Sequence, residues 1–212
     1  MTRTVLVTGA NRGLGEAVAT ALDARGWHVL RSSRDGCLDV ALDVTDPESL
    51  DQAYQRIGPV DALVNNAGVL LDGGTDPLTT PLDAVRATFE VNVLGTWRAC
   101  QRFLPDMVGR GWGRVVIVSS GTGAFANGLF RGAPGYSLSK TALNGLTTML
   151  AAQVEGTGVL VNAVNPGPTK TRMMPKARQS SEFAAAHIAD AIDLPDDGPT
   201  GVFLRDGVVA GW

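Results

Sequence analysis

The sequence predicts an α/β fold: a doubly wound, mostly parallel sheet of seven strands with helices on both faces. Short β-branched runs recur along the chain with helical patterns between them. That order joins parallel strands through helical crossovers. The same runs are almost continuously apolar rather than alternating, as strands covered on both faces must be. The 212 residues, 44% of them hydrophobic, suffice for one domain with a substantial core. No repeat or low-complexity linker divides them, so residues 1–212 read as a single domain.

The elements follow in order. "TVLVT" at 4–8 is the first strand, and a glycine-rich stretch leads from it into a helix over 14–25. "WHVLR" at 27–31 and "CLDVALDV" at 37–44 hold the second and third strands. Asp46 and Pro47 pair a capping acid with a first-turn proline, which opens a helix over 47–57. "DALVNN" at 61–66 is the fourth strand, and a long helical pattern covers 81–108 with a break expected near Gly95. "RVVIVSS" at 114–120 is the fifth, and Pro134 opens a helix over 134–155. "GVLVNAV" at 158–164, a helix over 182–192 and "GVFLR" at 201–205 complete the pattern.

Composition excludes several functions. The net charge is −3 and no dense run of Lys and Arg occurs, so no nucleic-acid partner is expected. The apolar run at the N-terminus is too short for a signal peptide or a membrane span. A cytoplasmic protein without a membrane partner is the expectation. Cys37 and Cys100, the only cysteines, are too few for a disulfide framework or a metal knuckle. His28 and His187 lack partners at ligand spacing, so no metal site is expected.

In doubly wound sheets ligands bind beyond the carboxyl ends of the strands. The first such end reads Thr8-Gly9-Ala10-Asn11-Arg12-Gly13-Leu14-Gly15 and runs straight into a helix. Glycines permit positive φ and close backbone approach, and the free N–H groups of a helix N-terminus favour a pyrophosphate. A strand, a glycine loop and a helix in that order point to dinucleotide binding on a Rossmann fold. The spacing is TGxxxGxG rather than the ordinary GxGxxG.

Five further motifs stand in order along the chain: "NNAG" at 65–68, "VNVLG" with Asn92, "VSS" with Ser120, "GYSLSK" with Tyr136 and Lys140, and "NPGPTKT" at 165–171. Together with the glycine loop they make the chain resemble the short-chain dehydrogenase/reductase family over nearly its whole length. A tyrosine and a lysine four apart share a face on any helix, and such a pair is ordinarily a solvated contact. Chemistry gives this pair another use. A carbonyl that accepts hydride develops alkoxide charge and needs a proton, and a phenol of pKa about 10 relays one poorly unless a cation stabilises its phenolate. The resemblance implies Tyr136 as proton donor, with Lys140 lowering its pKa and holding the nicotinamide ribose. It also implies Ser120 bonding the substrate oxygen and Asn92 anchoring a relay water. Ser119 is the alternative to Ser120, but strand alternation points only one of them at the site. Sixteen residues separate Ser120 from Tyr136, a few more than is commonest in the family. Phe125, Leu129 and Phe130 in that stretch either line the substrate pocket or pack the loop onto the body.

The cofactor can be narrowed. An NAD site carries an acid about 20 residues past the glycine loop, and here Ser33 stands in that place, followed by Arg34. Arg12 and Arg34 match the basic pair that NADPH-preferring members use for the 2′-phosphate, and a guanidinium fork suits phosphate. NADP(H) is therefore expected over NAD(H), with Asp35 turned into its own loop. By resemblance, cofactor contacts fall on Gly9, Asn11, Arg12, Gly13, Leu14 and Gly15 in the cradle and on Ser33 and Arg34 after the second strand. Asp43 and Val44 would touch adenine, although Asp43 could equally cap the next helix. Asn66, Ala67, Gly68, Pro166, Gly167, Thr169 and Thr171 complete the set with Tyr136 and Lys140.

Residues 168–182 form a short lid, where Met173 and Met174 either meet an apolar substrate or fill gaps. That lid and the ending "DGPTGVFLRDGVVAGW" resemble carbonyl-reductase-like members, implying reduction of an aldehyde or ketone to an alcohol. Trp97, Phe103, Leu143, Leu146 and Leu150 form helical stripes that are mostly core. The family's habit of pairing the outer faces of these helices implies a homodimer or homotetramer. A non-catalytic NADP(H)-binding sensor on the same fold is the alternative, and an epimerase or dehydratase of the extended branch would need a longer chain.

Overall fold

The computed structural model describes residues 2–212. Its centre is one sheet in which Thr4–Val7 (β1) lies between His28–Ser33 (β2) and Ala62–Asn65 (β4). Val40–Ala41 (β3) extends the β2 side; Gly113–Val118 (β5), Val159–Asn165 (β6) and Phe203–Arg205 (β7) extend the β4 side, all parallel. The order reverses between β1 and β4, and at the carboxyl ends of such a switch point sheets of this kind hold their ligand crevice.

The sheet has eight strands, not seven. Val208–Ala210 (β8) returns antiparallel to β7 through Asp206 (φ 50°) and Gly207 (φ 79°). Two successive positive φ values are what a two-residue hairpin turn demands, and Asp-Gly is its usual sequence. A strand of three residues is too short for periodicity to reveal.

Helices Gly13–Ala24 (α1), Pro47–Ile57 (α2), Leu82–Phe89 (α3), Thr96–Arg110 (α4), Pro134–Gln153 (α5) and Ser181–Ile192 (α6) cover the sheet. Neighbouring strand residues serve opposite cores. Leu6, Leu63, Val115 and Ile117 meet Phe103, Met107, Leu143 and Leu146 on one side. On the other, Val5, Val7, Val64 and Val116 meet Val18, Leu22, Ile188 and Ile192. Both kinds of residue are apolar, so alternation vanishes from the sequence. Trp97 departs from the expected core: it is 39% exposed.

The break expected near Gly95 is instead a widening of the helix. Glu90–Gly95 is π-helical and runs continuously between α3 and α4, a form that often marks functional sites. Gly95 touches Val44 so closely that any Cβ would overlap that side chain. No helix among the described residues is long and apolar enough to cross a membrane.

The amino end of the sheet is clamped by charge and aromatic rings. Arg114, at the start of β5 and 1% exposed, donates to the carbonyls of Gly113, Gly158 and Leu194 and to the Asp196 carboxylate. Trp112 stacks on Trp27 at 6.4 Å and carries the Arg3 and Arg114 guanidinium groups over its ring. Trp27 and Trp112 donate in turn to Asp193 and Asp196.

Candidate active site

The glycine loop after β1 is bolted to the end of β4. The Thr8 hydroxyl accepts from the amides of Asn66 and Ala67, each at 3.0 Å. The Asn66 side chain donates to the carbonyls of Thr8 (2.9 Å) and Gly9 (3.0 Å). Gly9 and Gly13 have φ of 64° and 57°, whereas Gly15 is required by contact: a Cβ there would overlap Gly9 O and Asn66 Nδ2. The loop thus approaches α1 with its amides uncovered by side chains, the shape a diphosphate needs. Asn11 and Leu14 are partly exposed on its outer turn.

Arg12 and Arg34, both exposed, flank this cradle and form no ion pair among the described residues. Ser33 is buried beneath them, its hydroxyl 3.5 Å from Cys37 Sγ. Hydrogen bonds from Cys37 and Ser33 pull the Asp35 carboxyl down to about 2, so its charge is engaged within its own turn. Asp43 accepts from the amide (2.9 Å) and hydroxyl (2.7 Å) of Thr45. The cap of α2 is Asp46, which accepts from Glu48 N at 3.0 Å, so the capping alternative for Asp43 falls away. Val44 turns its side chain into the core.

Next to the cradle, beyond β5, three reactive side chains meet. Ser119 points away, its hydroxyl 2.5 Å from Asn144 Oδ1, so alternation leaves Ser120 facing the crevice. Ser120 Oγ accepts from the amide and hydroxyl of Thr122. Lys140 Nζ lies 5.4 Å from the centre of the Tyr136 ring and donates to Val118 O at 2.7 Å. Burial pushes the Tyr136 phenol up to about 12, with the Ser120 hydroxyl acting in the opposite direction. Burial also pulls the Lys140 amine down to about 8. The lowering of the phenol expected from Lys140 is not what the structure gives: desolvation raises the phenol, only Ser120 opposes it, and burial drives both groups toward neutrality.

Asn92 sits in the π-helical turn and is fully buried. It accepts from Val69 N (2.8 Å) and donates to Val69 O (3.0 Å) and Ser139 Oγ (3.0 Å). Gly68 keeps the adjacent space free, since a Cβ would come within 3.3 Å of Asn92 Oδ1.

The rim is formed by two loops. After β6, Asn165 accepts from Gly167 N, and Thr169 Oγ1 donates to the carbonyls of Pro166 and Gly167. Thr169 pairs with Gln179 and Lys170 N donates to Gln179 O at 2.8 Å, which closes the lid on itself. The lid ends at Ser180, the cap of α6, and Thr171 lies beside Gly13. In the other loop Phe125 and Phe130 are 68% and 54% exposed, which disfavours packing onto the body as their role. Met173 and Met174 are likewise exposed.

Fold and site together define an α/β oxidoreductase with a dinucleotide cradle beside a serine, a tyrosine and a lysine. A model of the short chain dehydrogenase family matches residues 3–182, and the chain belongs to that family. Oxidoreductase UcpA of Escherichia coli (strain K12) is 34% identical over 91% of this chain and 81% of its own. The 2-(R)-hydroxypropyl-CoM dehydrogenase of Xanthobacter autotrophicus (strain ATCC BAA-1158 / Py2) is 32% identical over 91% and 90%. Among solved structures, ElxO with NADP bound superimposes with a TM-score of 0.85 at 26% identity over 97% of both chains.

Sequence reasoning includes Thr8 in the glycine motif without its bonding role, and it passes over Asp72, Ser139 and Gln179 as site residues. Thr8 is within its reach, since a hydroxyl opening a glycine loop has an obvious use. Asp72, in "LLDGG", has no spacing that would tie it to the helix at Gly135, 63 residues further on.

Proposed function

We propose that this chain is an NADPH-dependent reductase of aldehydes or ketones in which Tyr136 donates the proton. The observation that carries this reading is the convergence of Ser120, Tyr136 and Lys140 at the end of β5, beside the glycine cradle. When bound, the nicotinamide supplies the hydride. Ser120 orients the carbonyl oxygen, Tyr136 gives up its phenolic proton to it, and Lys140 offsets the negative charge left on the phenol. With a pKa of about 8, Lys140 is still mostly an ammonium at neutral pH. Asn92 holds the π-helical turn against Val69 and Ser139, which fits a role in anchoring a water at the inner end of the relay.

Arg12 and Arg34 support the choice of NADPH: two exposed guanidinium groups without ion-pair partners among the described residues flank the place of the ribose 2′ position. The solved structures of ElxO, one with NADP and a variant with NADPH, agree with it. The outer faces of α4 and α5 and the π-helical turn expose Leu94, Trp97, Leu138 and Met149, which supports a homodimer or homotetramer built on these helices.

Fluorescence titration with NADPH and NADH, followed by NADPH oxidation across an aldehyde and ketone panel, tests the proposal. Tighter binding of NADPH and turnover lowered roughly 10²–10⁴-fold in Tyr136→Phe are the expected results. Binding without turnover of any carbonyl would favour the sensor, and binding of neither cofactor would remove both readings.

A further inference from the structure

Helix α5 carries Tyr136 and Lys140, is 20 residues long, and lacks a cap of its own: Ala133 precedes it and offers no side-chain acceptor. Pro134 has no N–H, so the first free donors are the amides of Gly135 and Tyr136. Both point at one carboxylate. Asp72, on the loop after β4, accepts from Gly135 N through Oδ2 and from Tyr136 N at 3.3 Å (Oδ1) and 3.4 Å (Oδ2). Asp72 is 1% exposed and forms no ion pair among the described residues. Its charge is met by backbone amides at the positive pole of α5. The two other α-helices that carry a side-chain cap have it from the adjoining residue, Asp46 for α2 and Ser180 for α6. For the helix that bears the reactive phenol the cap arrives from a distant loop.

That loop is itself tied to the site. Val69 is held at both its amide and its carbonyl by Asn92. Thr75 closes a turn onto Asp72 O, and Gly74 N donates to Gly132 O at 2.8 Å. Gly135 leaves little slack, since a Cβ would lie 3.0 Å from both Asp72 Oδ2 and Val85 Cγ2. A continuous path of bonds therefore joins Asn92 to the amide of Tyr136 without passing through Lys140.

We infer that Asp72 is a positioning residue for the reductase reaction: it fixes the first turn of α5 to the loop that Asn92 holds, and thereby sets where the Tyr136 phenol stands. The inference rests on the proposed reductase activity. A misplacement of about 1 Å in a reacting group can cost on the order of 10²-fold in rate, so the tether matters beyond its contribution to stability.

Three variants test it: Asp72→Ala, Asp72→Asn, and Asp72→Ala combined with Ala133→Ser. The serine restores a local acceptor for the Tyr136 amide but not the tether to the Asn92 loop. Asp72→Ala should lower kcat roughly 10–100-fold while NADPH affinity stays near wild type. Asp72→Asn, which retains one acceptor oxygen, should lose much less. The double variant should recover melting temperature but not kcat. Recovery of both would reduce Asp72 to a structural cap and overturn the inference, as would an unchanged kcat in Asp72→Ala. Hydrogen exchange of the peptide spanning 131–141 separates this from a failure of the functional reading. If no carbonyl turns over in wild type, the reductase proposal falls, yet faster exchange there in Asp72→Ala still supports the tether. Unchanged exchange overturns it.

Discussion

The two ends of the sheet treat charge in opposite ways. At the amino end Arg114 and Arg25 are paired with Asp196, Asp190 and Asp193, and Arg110 lies 3.6 Å from Asp61. At the carboxyl end Arg12, Arg34, Lys140, Lys170, Arg172, Lys176 and Arg178 have no ion-pair partner among the described residues. Every lysine of the chain belongs to this second group. In a protein of net charge −3 this is a marked polarity. The amino end uses these cations to close the fold, whereas these seven around the crevice are held without ion-pair partners, unlike Arg205, which pairs with Asp206. Unpaired cations around a crevice attract anions and raise their encounter rate, which suits a phosphate-rich cofactor.

Substitutions at the two ends should therefore fail differently. The largest effect is expected from Tyr136→Phe, which should cost roughly 10²–10⁴ in kcat with the melting temperature unmoved. A parallel fall in both would mean the residue serves packing rather than proton transfer. Next, Arg12→Ala with Arg34→Ala should weaken NADPH by about 10–100-fold, as expected for hydrogen bonds to a charged group. NADH affinity should hardly change, and an equal loss for both cofactors would count against a 2′-phosphate site.

At the opposite end Arg114→Ala should leave kcat alone and cost about 1–3 kcal/mol of stability, because buried carbonyls lose their donors. Urea unfolding measures it, and a loss of activity without a loss of stability would erase the contrast between the ends. The smallest effect concerns pH. The proposed mechanism needs the Lys140 ammonium, so kcat/KM should decline as pH rises through about 8. Stability should move the other way over the next units. An unfolded lysine keeps its proton to about 10.4, so above pH 8 the unfolded chain binds more protons than the native one and stability rises with pH. Tyr136, raised to about 12, opposes this only beyond about pH 10, where the unfolded phenol ionises first. Lys140→Met should flatten both profiles between about pH 7 and 10.

Much of the carboxyl end is legible in the order of residues alone. The cradle at residues 8–15, the strand ends and the Tyr136/Lys140 spacing depend on neighbours a few positions apart, and local periodicity reports them directly. The choice of Ser120 over Ser119 is also open to argument from alternation, but only the bond from Ser119 to Asn144 settles which one faces the crevice. The eighth strand is signalled by no more than Asp206-Gly207, since a three-residue strand carries no pattern of its own. Trp97 reads as core because helical spacing identifies a stripe without saying whether it meets the sheet or the outside.

By itself, then, the sequence determined the order of elements, the phosphate cradle and the face shared by phenol and amine, all of them consequences of short-range backbone geometry. Only the tertiary structure decided that Asp72 caps the helix of Tyr136 and that Asn92 grips Val69 and Ser139. It alone shows that Arg114 gathers three carbonyls and an acid, and that burial raises the phenol. Each of these depends on which distant segment returns to a given place and how much water it excludes. Contact partners and desolvation are properties of the packed chain, and residue spacing does not encode them.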